Sequence, residues 1–209
     1  MRIILIRHGQ TKWNSEGRVQ GRTDIPLNAR GEAQARAAGE WLSGRNIDAV
    51  YASPLQRAHA TAKAIADRQG LCVRPIDDMI EIDFGLWEGK TKRELAVEFP
   101  EFWTDWSWHL DEQKSAMMRA ESAYMILERT KRAIDAVMDE NAKDATAVIV
   151  SHTMPIKLLM ADAMGIPLEN MPHIKIDNCG ICELEMRRGE ASRLITWNEK
   201  GFLARKGLI

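Results

Sequence analysis

Short apolar runs of strand length alternate along this chain with stretches of helical spacing, and that alternation limits the available folds more than any other feature. Arg2 to Ile6 is followed by a helical pattern through Ala33, Ala37, Ala38, Trp41 and Leu42, then by Ile47 to Tyr51 and a second helix. A strand is predicted at Val73 to Ile76, a long helix from about Ser122 to Asn141, and the most strand-like run at Ala145 to Val150. The long helix carries its apolar stripe at Ala123, Ile126, Leu127, Thr130, Ile134 and Val137. Strands separated by helices run parallel with helices on both faces, so the expected fold is α/β, a three-layer α/β/α sandwich around a mostly parallel sheet. Gly180 to Met186 and Ser192 to Trp197, around Arg187-Arg188-Gly189-Glu190, read as a hairpin that closes one side of the sheet with an antiparallel edge strand.

With 209 residues, 45% of them hydrophobic, the chain has the length of one domain, 1–209, and enough apolar surface for a core without staples. Residues 90–120 break the pattern and gather Phe99, Phe102, Trp103, Trp106 and Trp108; they are expected to form a helical insertion over the crevice. The aromatic cluster reads first as a small sub-core and second as a wall for a bulky alcohol. Lys and Arg number 29 against 30 Asp and Glu, a formal net charge of -1 that offers no field for nucleic acid or an anionic membrane. The first apolar run is four residues long and leaves no room for a signal peptide, and no stretch approaches a membrane span. Cys72, Cys179 and Cys182 form no disulfide framework, so a cytoplasmic location is expected.

In an open parallel sheet ligands bind outside the carboxyl ends of the strands. Four strands are followed there by reactive side chains: Arg7-His8-Gly9, Ser53-Pro54-Leu55-Gln56-Arg57, Glu81 and Ser151-His152. Ser53 as N-cap and Pro54 as first helical residue predict a helix start that turns Arg57 back toward the crevice, where free N–H groups also favour an anion. Two arginines gripping oxygens, a neutral imidazole nucleophile, a second histidine as donor and a protonated carboxyl suit phosphoryl transfer, in which catalysis is mostly positioning and charge stabilisation. Gly9 is read as permitting close backbone approach to the substrate. Asp78, Asp83 and Glu88 are rivals to Glu81 for the acid role.

The runs Leu5-Ile6-Arg7-His8-Gly9-Gln10-Thr11 with Asn14, Gln20-Gly21, Ser53 to Ala58, Glu81 with Phe84-Gly85-Trp87-Glu88-Gly89, and Val150-Ser151-His152 resemble the histidine phosphatase superfamily, the phosphoglycerate mutase-like proteins. The resemblance implies that His8 is a phosphohistidine nucleophile, that Arg7, Arg57 and His152 complete the phosphate pocket, and that Glu81 donates the proton. It implies substrate contacts from Asn14, Gln20, Gly21 and Thr153, no cofactor or metal, and a small phosphate ester as partner, with a homodimer left open. Many relatives have His-Gly-Gly where this chain has His152-Thr153-Met154-Pro155, and Gly-Glu-Ser where it has Ala120-Glu121-Ser122. True mutases carry Arg-His-Tyr-Gly after the acid, and this chain reads Glu81-Ile82-Asp83-Phe84-Gly85, so hydrolysis of the α-ribazole phosphatase or broad-specificity kind is expected over mutase chemistry. A non-catalytic phosphate-binding relative is the third reading.

Other motifs carry less. Cys179-Gly-Ile-Cys182 lacks a second ligand pair for zinc, and residues three apart on a strand face opposite sides. Gly89-Lys90-Thr91 lacks the strand and spacing of a P-loop. His59, His109 and His173 read as structural or surface residues, with His109 the one placed to touch a substrate.

Overall fold

The computed structural model describes residues 1–103 and 106–209; the side chains of Phe102, Trp103, Trp106 and Trp108, on which the expected aromatic wall rests, also lie outside the described residues. Its strands are β1 (Arg2–Arg7), β2 (Ala49–Ala52), β3 (Val73–Pro75), β4 (Thr146–Ser151), β5 (Ile181–Glu185) and β6 (Arg193–Glu199). They form one sheet in the order β3-β2-β4-β1-β5-β6. The first four are parallel, β5 runs antiparallel to β1, and β6 pairs antiparallel with β5 as the expected hairpin. The helices are α1 (Lys12–Glu16), α2 (Ala29–Leu42), α3 (Gln56–Gln69), α4 (Lys92–Glu98), α5 (Pro100–Trp103), α6 (Glu112–Met117), α7 (Ala123–Glu140), α8 (Thr153–Met164) and α9 (Gly201–Ala204).

The strand period of two divides the core. Ile3 and Leu5 of β1 and Ala147 and Ile149 of β4 pack with Ile134, Val137, Ile156 and Leu159 of α7 and α8. Ile4, Ile6, Val148 and Val150 pack on the opposite face with Ala37, Ala38, Ala58, Ala62 and Ile65 of α2 and α3. Cys182 belongs to the first cluster and Cys179 to the second, so the two thiols lie on opposite faces. Long α7 begins with Ser122 as N-cap, its side chain accepting from Met125 N, and buries Ala123, Ile126, Thr130, Ile134 and Val137. No described helix is long and apolar enough to cross a membrane.

One local reading is corrected, and Gly9 gains a packing partner within the protein. Helix α3 starts at Gln56 with Leu55 in the cap position and no side-chain cap. The Ser53 hydroxyl is engaged by His152, and Asp24 takes the Gln56 N–H, so that helix end already holds a carboxylate. Gly9 serves packing within the protein: a Cβ there would stand 2.5 Å from the Gly31 carbonyl oxygen, and one on Gly31 would stand 2.0 Å from that of Gln10. The strand-to-helix loop carrying His8 is therefore pressed directly onto the start of α2.

Candidate active site

The central strands β2, β4 and β1 deliver their last residues to one place. The parallel ladder continues past them, with His8 N donating to Ser151 O and Ser53 N to Val150 O. His8 and His152 thereby come together, ring centroids 5.1 Å apart and planes tilted by 56°, both buried. Next to them opens a cavity of 460 Å³ whose lining includes Arg7, His8, Arg57 and Glu81. Asn14, Gln20, Gly21 and Thr153 line its sides, Val19, Phe84, Ile174 and Ile176 form an apolar wall, and Arg18, Lys92 and Lys175 stand around it.

The hydrogen bonds of His8 fix its tautomer. Its Nδ1 lies 2.7 Å from the Gly9 carbonyl, which only accepts, so Nδ1 carries the proton and Nε2 the lone pair. Burial first, then the charges of Arg57 and Arg7, hold the His8 pKa well below the usual histidine value, and the ring is neutral at pH 7. Its backbone is tied down on both sides: Asn178 Nδ2 donates to the His8 carbonyl, and Gly9 N donates to Thr61 Oγ1, whose hydroxyl donates to Arg57 O.

Both arginines are anchored through their terminal nitrogens. Arg7 Nη1 donates to Ile176 O at 2.8 Å, while Arg57 donates to Thr23 O and Gly21 O at 2.8 and 2.7 Å. Gly21 (φ 52) leaves room for the Glu88 carboxylate, which accepts from Arg22 N, Thr23 N and the Thr23 hydroxyl and so holds the carbonyls that grip Arg57. Glu88 is thus a loop tie, Asp78 pairs with Arg132, and Asp83 caps Gly85 N; Glu81 is the carboxyl among the four that lines the cavity.

Among the described residues, Arg7 Nε, Arg57 Nε and His152 Nδ1 are buried nitrogens without a protein partner. Buried polar groups are nearly always satisfied, so these orphans leave unmet hydrogen-bonding capacity on the three side chains whose charges or rings act on His8. His152 Nε2 lies 2.7 Å from Ser53 Oγ, a hydroxyl able to donate or to accept, so this contact orients the ring and aims Nδ1 away from Ser53. Ser53→Ala would remove the partner that orients the His152 ring; kcat/KM for phosphate esters should fall roughly 10-fold, with a parallel rise in the inhibition constant of inorganic phosphate. Unchanged constants would refute the coupling.

Glu81 accepts from Ile82 N and Met154 N with one oxygen and from Thr153 N with the other, at 3.0 to 3.1 Å. The two N–H groups that open α8 therefore hold the candidate acid. Burial raises the Glu81 pKa above the ordinary 4.5, outweighing those bonds and the charges of Arg57 and Arg7. Behind it Arg129 donates to Asp78 O, Ile80 O and Glu81 O and pairs with Glu121 at 3.0 Å. Ser53, Thr61, Glu121, Arg129 and Asn178 were not foreseen as supporting residues, because each acts through a partner far away in sequence. Lys157, buried on α8 and lowered to about 8 chiefly by burial, is a further unforeseen neighbour of Glu81 and Arg7.

The other histidines stand apart. His59 and His173 are exposed, and His109 is buried edge-on against Phe84 and Trp87, its pKa pushed down to about 3 by burial. Among the described residues no three His, Cys, Asp or Glu side chains group to hold a metal ion. In the unfolded chain His8, His109 and His152 take up protons near pH 6.5, while the folded protein keeps them neutral to lower pH. The unfolded state then binds more protons, so stability should fall below about pH 6.5 by up to about 1.4 kcal/mol per pH unit for each histidine. The raised Glu81 acts in the opposite sense above 4.5, but it is one group against three. Urea midpoints at pH 7.5 and 5.5 test this, and equal midpoints would contradict it.

A family profile described as the histidine phosphatase superfamily (branch 1) matches residues 3–200. Phosphoserine phosphatase 1 of Hydrogenobacter thermophilus is 32% identical over 196 residues, covering 93% of this chain and 92% of that protein. The adenosylcobalamin/alpha-ribazole phosphatase of Escherichia coli is 34% identical over 177 residues, covering 85% and 86%. Among solved structures, a mycobacterial glucosyl-3-phosphoglycerate phosphatase complexed with VO3 superposes with a TM-score of 0.84 at 28% identity, covering 95% of this chain and 99% of the other.

Proposed function

The chain belongs to the histidine phosphatase superfamily, and from that premise we propose that it hydrolyses small phosphate monoesters through a phosphohistidine on His8 Nε2, without a metal ion. The observation that carries this reading is that Arg7, Arg57 and Glu81 line one cavity with His8, whose proton on Nδ1 leaves the Nε2 lone pair free, and that the His152 ring stands 5.1 Å from it. The phosphate dianion sits on the two guanidinium groups and the His152 Nδ1–H. His8 Nε2 attacks phosphorus, the bond to the ester oxygen breaks, and protonated Glu81 gives its proton to the departing alcohol. The Glu81 carboxylate then takes a proton from water as its oxygen attacks phosphorus; the N–P bond breaks, phosphate leaves, and His8 and Glu81 return to their starting states.

Phosphoserine and α-ribazole phosphate, on which two relatives act by name, are both phosphate monoesters. A 460 Å³ cavity is of a size to admit either. The three cysteines are free, which suits a reducing compartment, the cytoplasm. The test is phosphate release, with and without EDTA, from a panel containing O-phosphoserine, α-ribazole 5′-phosphate, p-nitrophenyl phosphate and sugar phosphates. Release that EDTA leaves unchanged is expected. Phosphate moved between positions of one molecule without release would make the protein a mutase, and phosphate binding without any turnover would make it a binding protein.

A further inference from the structure

Glu121 directly precedes Ser122, the N-cap of α7, and Arg129 follows eight residues later, just over two helical turns on. The Glu121 carboxylate, 12% exposed, accepts from Arg129 Nε and Nη2 at 3.2 and 3.0 Å, from Arg22 Nη2 at 2.8 Å and from Asp83 N at 3.0 Å. Its own N–H donates to Asp83 O, so the head of α7 is bound to the segment that carries Glu81. Arg129 Nη2 donates to Glu81 O at 3.1 Å, and Arg22 Nε lies 3.5 Å from the same oxygen. Two guanidinium groups and one carboxylate are thus gathered at the backbone of the candidate acid.

Of the two cations Arg129 weighs more, because its side chain is 7% exposed against 39% for Arg22 and water screens it less. Its charge reaches the active site: after burial and the charges of His8, Arg57 and Arg7, Arg129 also lowers the His152 pKa. Unanswered, it would favour the Glu81 carboxylate over the carboxylic acid, adding to Arg57, Arg7 and Lys157, the cations that face Glu81 from α3, β1 and α8. Glu112, Glu128 and Arg132 share a hollow of 400 Å³ with Glu121 and Arg129, and Arg132 is paired with Asp78.

We infer that Glu121 is a positioning residue that keeps Glu81 protonated, cancelling the charge of Arg129 while leaving its N–H groups on the carbonyls of Asp78, Ile80 and Glu81. This rests on the reading of Glu81 as the acid and adds the group that governs its ionisation. The clamp on the acid's backbone needs a guanidinium; the chemistry needs that guanidinium to be electrically silent.

The test is the pH dependence of kcat for the alkyl ester turned over fastest in the panel, beside p-nitrophenyl phosphate. Glu121→Gln should carry the high-pH decline of alkyl-ester turnover to lower pH by roughly 0.5 to 1 unit. Arg129→Met should carry it to higher pH, and the double variant, in which both charges are gone, should return it to within about 0.2 unit of the unmodified protein. With p-nitrophenyl phosphate, whose leaving group needs no proton, the basic side should stay in place in all three. A merely structural role would lower kcat and the urea midpoint without moving the decline. A decline unmoved in Glu121→Gln or in Arg129→Met, a double variant that fails to return, or equal shifts with both esters overturns the inference. If the unmodified protein shows no high-pH decline with alkyl esters, it is the acid role of Glu81 that falls.

Discussion

His8→Ala should lower kcat by at least about 10⁴-fold on every phosphate ester, the scale expected when a covalent nucleophile is removed. The size follows from how little else in the cavity could attack phosphorus. Glu81 is committed to three N–H groups, His152 has Nε2 engaged by Ser53, and both arginines are permanently charged donors. Binding should persist, because Arg7 is held by Ile176 O and Arg57 by Gly21 O and Thr23 O, none of which involves the His8 side chain. Phosphate titrated into His8→Ala should therefore still bind. A variant retaining a tenth of the normal kcat would show that His8 is not the nucleophile.

Glu81→Gln is expected to separate substrates by their leaving groups. An alkyl ester must leave with a proton, and loss of a general acid costs about 10² to 10⁴ in kcat. With p-nitrophenyl phosphate, whose phenolate departs without help, the loss should stay within about 10-fold. The pH profile should divide the same way. Glu81 acts protonated, and its pKa is raised by burial, so alkyl-ester turnover declines as pH rises through that value, and this decline should vanish in Glu81→Gln. His8 must be neutral, and its pKa is well below the usual value, so the loss of activity on the acid side lies far down the scale. Equal losses on both ester types would move the acid role elsewhere. The two variants together assign attack and departure to different residues, which is the content of a two-step mechanism.

Much of this arrangement was legible in the order of residues. The apolar runs ending in Arg7-His8 and Ser151-His152 placed two histidines at the same end of a parallel sheet, because parallel strands share a direction and their last residues share an edge. The alternation of apolar strand-length runs with helical stretches likewise foretold a sheet covered by helices on both faces. What stayed hidden were contacts that depend on the third dimension. Ser53 and Pro54 carry a valid helix-start signal, yet Ser53 lies beside His152 in the folded sheet and its hydroxyl serves that ring, so the helix begins two residues later without it. Gly9 signals close approach, and one partner in it is the Gly31 carbonyl, which lies too far along the chain for the sequence to name. Where many relatives have Gly-Gly after the last histidine, the N–H groups of Thr153 and Met154 hold Glu81, a link between residues 72 and 73 positions apart that the sequence does not display. Glu121 and Arg129 looked like ordinary charges on and before a long helix; only folding brings Arg129 against the carbonyls of Asp78, Ile80 and Glu81.

The support around the site explains how one neutral imidazole can be kept ready. Burial lowers the pKa of both histidines and raises that of Glu81, so one dry environment produces an unprotonated base and a protonated acid at the same pH. The cost falls on stability in mild acid, where the unfolded histidines gain protons that the folded ones refuse.

The central claim is that phosphate passes through a covalent bond to His8. Rapid acid or alkali quench of the enzyme with an ester labelled in its phosphoryl group, followed by peptide mapping, tests it most directly. Label that is acid-labile and alkali-stable, located on the peptide containing His8 and absent from His8→Ala, is the predicted result. Turnover with no label on the protein at any quench time, with ¹⁸O from solvent entering phosphate in a single direct displacement that inverts configuration at phosphorus, would contradict it.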